Sequence, residues 1–99
     1  MPKEMMPSGF ALDQNYPNPF NPSTTIGYAL PRRSHVTLAV FNTIGQHVAT
    51  LVNGEVEAGY HEVQFSASGR NVAGLASGVY FYRLQTGGFT QTKKLVLLR

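Results

Sequence analysis

Three histidines, five carboxylates and one serine in a glycine frame are the residues of this chain whose types suit chemistry. Imidazoles hold zinc when three converge, but His35, His47 and His61 fall on separate extended runs and lack short ligand spacing. Each reads as the end or face of a strand. Asp13 is the only aspartate, and Glu4, Glu55, Glu57 and Glu62 are dispersed, so no calcium loop or acid/base carboxylate pair is spelled out. In GLASG, Ser77 stands one place too late for a G-x-S-x-G nucleophile elbow, and the strand-to-helix context is missing. Phosphate- and dinucleotide-binding fingerprints are absent. Asn21-Pro22-Ser23 fails as a glycosylation site because its middle residue is proline. The expectation is a non-enzyme with no cofactor and no metal.

Composition narrows the class further. Ninety-nine residues that are 42% hydrophobic make one domain. Such a chain buries roughly 65% of its unfolded surface, enough for a core without staples. There is no cysteine, which removes disulfides and thiolate metal sites together. Net charge is a mild +3, and the basic residues are scattered rather than gathered on one stripe. Nucleic-acid binding is therefore not expected. No run reaches transmembrane length. The opening MPKEMMPSGF is broken by prolines and a glutamate and does not read as a signal peptide, so export would draw on a signal further upstream.

The elements that must position any site alternate with period two. Ile26, Tyr28 and Leu30 share one face; Val36, Leu38 and Val40 make the inner face of HVTLAVF; His61, Val63 and Phe65 share a side of YHEVQF. GFALDQ, QHVATLV, VYFYRLQ and FTQTKKLVLL supply the other runs. Gly45 in NTIGQ suits a tight reversal, Asn53-Gly54 predicts another turn, and SASGRNVAGLASG predicts a longer surface loop. No segment is long enough for the crossover helix of a parallel sheet. The pattern is all-β: an immunoglobulin-like antiparallel sandwich of about seven strands.

Two motifs stand out against that frame. Asn15-Tyr16-Pro17-Asn18-Pro19-Phe20-Asn21-Pro22 is too stiff and too poor in donors for a central strand. It reads as a low-entropy connector, with asparagine side chains serving orphaned backbone groups and Tyr16 and Phe20 anchoring it to the sandwich. In Ser77-Gly78-Val79-Tyr80-Phe81-Tyr82, Tyr80 fits the corner tyrosine that opens the sixth strand of such sandwiches, and Tyr82 takes the place of their core cysteine. Tyr80, Tyr82 and Leu84 then face inward, opposite Val79, Phe81, Arg83 and Gln85.

Taken together, FALDQNYPNPFNPSTTIGYALP, VTLAVFNTIGQHVATLV, AGYHEVQFSA and LASGVYFYRLQTGGFTQTKKLVLLR resemble successive motifs of the C-terminal sorting domains of type IX (Por) secretion substrates. Those domains are related to the immunoglobulin-like domain of flagellar hook-capping proteins. The resemblance covers residues 10–99 and leaves 1–9 as a linker. It implies a sorting module at the end of a larger secreted cargo. The module's partners would be the outer-membrane translocon and the upstream cargo domain, with delivery to the cell surface and frequent cleavage there. It further implies that Lys93, Lys94, Leu95, Val96, Leu97, Leu98 and Arg99 form the terminal signal. The isolated domain is expected to be a monomer. The linker SASGRNVAGLASG departs from the family pattern in being longer.

The tail carries a physical oddity of its own. Leu95 and Leu97 lie on one face and Val96 and Leu98 on the other, although a sandwich strand needs only one buried face. Either a neighbouring loop covers the second face, or a partner docks there and adds a strand to an exposed edge. A competing reading is an adhesive or carbohydrate-binding sandwich appended to a secreted hydrolase. It would want exposed aromatics on one face, whereas the chain has no tryptophan and its strand tyrosines have inward parity.

Overall fold

Alternation becomes seven strands: β1 (Ala11–Leu12), β2 (Ser23–Leu30), β3 (Ser34–Phe41), β4 (His47–Val56), β5 (Gly59–Ser66), β6 (Gly78–Thr86) and β7 (Phe89–Leu97). They are seen in a computed structural model that describes residues 6–68 and 75–99. Every strand pairing is antiparallel, in two sheets ordered β1-β2-β5 and β4-β3-β6-β7. This is the immunoglobulin-like arrangement with the fourth strand moved onto the second sheet. Much of the loop expected in SASGRNVAGLASG lies outside the described residues.

The inward parities hold. Ile26, Leu30, Val36, Leu38, Val40, Tyr82 and Leu84 are fully buried, and Tyr28, Phe65 and Tyr80 join the same core. Each fully buried aliphatic or aromatic side chain contributes about 1.5–3 kcal/mol. The core therefore rests on the register that keeps these residues inward, since a slip of one residue would turn them all to solvent.

One turn expectation fails. Asn53-Gly54 does not end a strand; β4 continues to Val56, with Asn53 opposite Thr37 and Gly54 opposite Val36. The ladder to β3 outweighs the local turn preference of the dipeptide, and the chain reverses at Glu57–Ala58 instead. Gly45 does take the expected role, with φ of 86° in the reversal between β3 and β4.

The two ends of the sandwich are distinct. Phe10 stacks on Phe89 at 5.7 Å, with the Arg32 guanidinium 5.1 Å over the Phe10 ring, beside the β6–β7 hairpin. Arg99 lies at the other end, where its amide donates to Ser77 Oγ (2.7 Å) and its guanidinium to the Ala67 carbonyl (2.6 Å). β7 runs between them, spanning ~27 Å at 3.4 Å per residue.

Candidate functional site

The lead-in motif, the tyrosine motif and the tail are far apart in sequence, yet they close into one unit around β7. β7 is an edge strand, paired on one side with β6. On its other side the lead-in acts as a clasp. Phe20 makes a one-residue parallel bridge with Leu97: its amide donates to the Val96 carbonyl, and the Leu98 amide donates to its carbonyl, both at 2.9 Å. The Val96 amide donates to Asn18 Oδ1 at 3.0 Å, and Gln14 Nε2 donates to the Lys94 carbonyl at 2.7 Å. The outer backbone edge from the Lys94 carbonyl to the Leu98 amide is thus occupied. Of the two alternatives for the tail, a covering neighbour or a partner that adds a strand, the closed lead-in leaves no free backbone edge for the second along that stretch.

The clasp is itself held from inside. Asn15 is buried, and its side chain donates to Thr24 Oγ1 (2.9 Å) and the Pro17 carbonyl (3.1 Å) while accepting from Gln14 Nε2 (2.6 Å). Thr24 Oγ1 in turn donates to the Pro17 carbonyl at 2.8 Å. Buried polar groups persist when paired in this way. Tyr82, fully buried on β6, donates its hydroxyl to the Asp13 carbonyl at 2.6 Å and accepts the Asn15 amide at 2.8 Å. Burial pushes the Tyr82 phenol up to about 12; the Asn15 hydrogen bond acts the other way, and the Asp13 charge raises it slightly further. One residue therefore serves both the core and the clasp.

Phe20 fulfils its expected anchoring, buried against Phe65 with ring centroids 6.0 Å apart. Tyr16 does not: it is 81% exposed. It pairs with Thr25, so its side chain leaves on the outward face that Thr25 occupies. Pro17, Pro19, Asn21 and Pro22 lie along the surface of the clasp, with Asn21 and Pro22 exposed. Ala67 adds a last tie by donating its amide to the Pro22 carbonyl at 2.8 Å.

The tyrosine corner is as the motif predicts. Tyr80 donates its hydroxyl to the Ala76 carbonyl at 2.7 Å, four residues upstream. Gly78 opens β6 with φ of 146°, a backbone shape that side-chain-bearing residues rarely adopt. Ser77, singled out in the motif, accepts from the amide of Arg99 and so joins the corner to the tail.

Within the tail, Leu95 and Leu97 are fully buried, Lys93 and Val96 are half-buried, and Lys94, Leu98 and Arg99 are exposed. Sequence reading missed Gln14 and Thr24, whose contacts arise only once the clasp is closed. A phenylalanine amid prolines was the one signal that the segment reaches the core.

The histidines stay apart. His47 Nε2 is 2.8 Å from Thr50 Oγ1, His61 stacks on Tyr28 at 5.3 Å, and His35 pairs with Glu55 at the far end of β3. Among the described residues no group of three metal-ligating side chains comes together. On the outer face of the β1-β2-β5 sheet, an open cleft of about 300 Å³ is lined by Asp13, Gln14, Tyr16, Thr25, Gly27 and Glu62. Tyr60, 64% exposed and paired with Ala29, stands on this same face, so two tyrosines escape the inward parity.

Comparison with known proteins adds three findings. The family model described as the secretion system C-terminal sorting domain matches residues 14–98. No curated protein matches the chain. Among solved structures, dimeric latent PorU from Porphyromonas gingivalis is similar with a TM-score of 0.69 at 16% identity, over 93% of this chain and 10% of that one. PorZ of the same organism, described as an essential bacterial surface component of the type-IX secretion system, is similar with a TM-score of 0.59 at 21% identity, over 92% of this chain and 12% of that one. The chain thus spans about a tenth of the length of these solved chains, and at such identities the likeness is one of fold.

Proposed function

Because this chain belongs to the secretion system C-terminal sorting domains, we propose that it is the non-catalytic address of a larger cargo, read by the type IX machinery and delivered across the outer membrane to the cell surface. The observation that carries this reading is the clasp around β7. It ties the backbone from the Lys94 carbonyl to the Leu98 amide to the lead-in, and Arg99 to the tyrosine corner, which supports a receptor meeting an ordered surface rather than a loose tail. The description of PorZ as a surface component of the type-IX system agrees with it. Residues 10–99 form the sorting unit and 1–9 are the linker to the cargo; Phe10, where the unit begins, lies at the hairpin end, away from the tail. The isolated unit is a monomer without cofactor or metal.

Deleting Lys94–Arg99 from a fused reporter should strand it in the periplasm of a host with a working translocon. That deletion also removes the buried Leu95 and Leu97, so it can act through unfolding. A double replacement, Lys93→Gln with Lys94→Gln, separates the two effects: the charge of exposed Lys94 normally alters stability by less than about 0.5 kcal/mol, and glutamine keeps part of the aliphatic stem of half-buried Lys93. Arg99 is left out because its hydrogen bonds to Ala67 and Ser77 make it part of the fold. Delivery lost with the melting temperature intact supports recognition of the charges. Delivery that survives both the deletion and the double replacement overturns the assignment.

An adhesive or carbohydrate-binding role is favoured by one observation only, the exposed Tyr16 and Tyr60 on the face of the Asp13–Glu62 cleft. Quenching of tyrosine fluorescence by soluble oligosaccharides, abolished by Tyr16→Ala, would support it.

A further inference from the structure

The tail cannot be read through every group it carries. Leu95 and Leu97 point inward and have no exposed surface. The outer backbone edge from Lys94 to Leu98 is taken by Gln14, Asn18 and Phe20. In the folded domain, the side chains this strand presents beside its edge are those on the outer face of the β4-β3-β6-β7 sheet: Lys94, Val96 and Leu98. They do not stand alone. Val79 of β6 is the cross-strand partner of Val96, and Phe81 is the partner of Lys94. Such opposed residues have Cβ atoms only ~4.5–5.5 Å apart and act as one surface. Leu98 is 53% and Val79 37% exposed, against the usual burial of large aliphatic residues.

Charge separates this surface from the rest of the molecule. Among the described residues, Glu55 and Glu57 are engaged by Arg33 at the far end of the sandwich. Asp13 and Glu62 lie at the cleft on the opposite sheet. No described carboxylate forms an ion pair with Lys94, and Arg83 on the same face is spent over the Phe41 ring at 4.6 Å. Among the described side chains, the apolar strip is therefore flanked by the positive charge of Lys94 and meets no carboxylate.

We propose that the secretion receptor reads a composite patch on the outer face of β6 and β7, in which Val79 and Phe81 are recognised together with Lys94, Val96 and Leu98. The partner is a protein surface with an apolar groove for Val79, Val96 and Leu98 and a carboxylate placed for Lys94. The patch rests on the sorting function proposed above, and it moves part of the signal off the terminal peptide and onto the tyrosine-motif strand. A patch with a central apolar cluster and a charged rim is the form that carries binding energy at protein interfaces.

The test uses the intact domain fused to a reporter, with surface delivery and melting temperature measured on the same variants. Val79→Thr keeps a β-branched side chain, and Leu98→Gln alters a residue that is mostly in solvent. Each alone, and both combined, should lower delivery, the pair by at least about tenfold, while the domain melts as the parent does. Gln85→Thr, on the same face but at the hairpin end, should deliver normally. If the combined variant loses stability, Leu98→Gln alone decides. Normal delivery of a folded variant, in a host where the Lys94–Arg99 deletion is retained in the periplasm, overturns the patch and leaves sorting intact. Normal delivery of the deletion as well overturns both.

Discussion

Phe20 and Leu97 lie side by side in a parallel bridge, although every strand pairing in the sandwich is antiparallel. The bridge joins the middle of the proline-rich lead-in to the last strand. An exposed edge strand is a template for unwanted pairing, and natural sheets cover such edges or blunt them. Here the cover is a segment whose prolines lack the amide needed to pass the ladder on. Phe20 supplies both an amide and a carbonyl to β7, and Pro19 on one side cannot extend the pairing. The clasp therefore ends the sheet.

Loss of the Phe20 side chain should open this edge. Phe20→Ala leaves a cavity beside Phe65 and is expected to cost about 3–5 kcal/mol. Amide exchange at Val96 and Leu98 should rise more than at residues of β3, because local opening of the clasp precedes global unfolding. Equal loss of protection throughout the sandwich would show that the clasp is not a separable unit.

Asn18→Ala removes only the side-chain acceptor of the Val96 amide. The bond is exposed, so the expected loss is about 0.5–1.5 kcal/mol, with faster exchange confined to Val96. An unchanged Val96 exchange rate would mean that water serves that amide as well as Asn18 does.

Parity made the strands and most of the core legible, because each run has one inward face and the residues on it are large and apolar. The corner at Tyr80 was equally legible, since Ser77-Gly78 and the position of Tyr82 fix it within a few residues. Long-range contacts were not. Beyond the apolar character of Phe20, Asn15–Pro22 does not say that Tyr16 turns out while Phe20 turns inward, because that choice is set by pairing with Leu97 and Thr25. Asn53-Gly54 misled for a related reason: a ladder along β3 overrode local propensity. The patch proposed for recognition was half legible. The two-faced LVLL run pointed to it, but the closed edge and the contribution of β6 depend on which strand lies beside which.

Gly78 permits a prediction that contacts alone would not give. A Cβ at this position meets no atom within 4 Å, yet the φ of 146° is strained for any residue that carries one. Gly78→Ala should therefore destabilise the domain by about 1 kcal/mol or more despite the open space. A neutral result in denaturant melts would show that the start of β6 relaxes towards ordinary strand geometry.

Tyr80 and Tyr82 are both tyrosines of one strand, but their hydroxyls carry different loads. Tyr80→Phe loses one bond to the Ala76 carbonyl and should cost about 0.5–1.5 kcal/mol. Tyr82→Phe strands the Asp13 carbonyl and the Asn15 amide together and should cost about 1–3 kcal/mol. If the Tyr80 change proves the more damaging of the two, the clasp does not depend on the buried hydroxyl.

The same hydroxyl makes stability depend on alkaline pH. Burial raises the Tyr82 phenol from its ordinary 10 to about 12 in the folded protein. The unfolded chain releases this proton more readily, so its contribution is complete below about pH 10 and is lost as the pH climbs through 12. A shift of that size corresponds to about 2–3 kcal/mol. Burial shifts Tyr28 in the same direction and adds to the slope. Urea melts between about pH 8 and pH 12 should show stability falling above pH 10, with a shallower fall in Tyr82→Phe and the residual slope belonging to Tyr28. A Tyr82→Phe variant that loses stability with pH as steeply as the parent would place the alkaline sensitivity elsewhere and remove the phenol from the energetic account of the clasp.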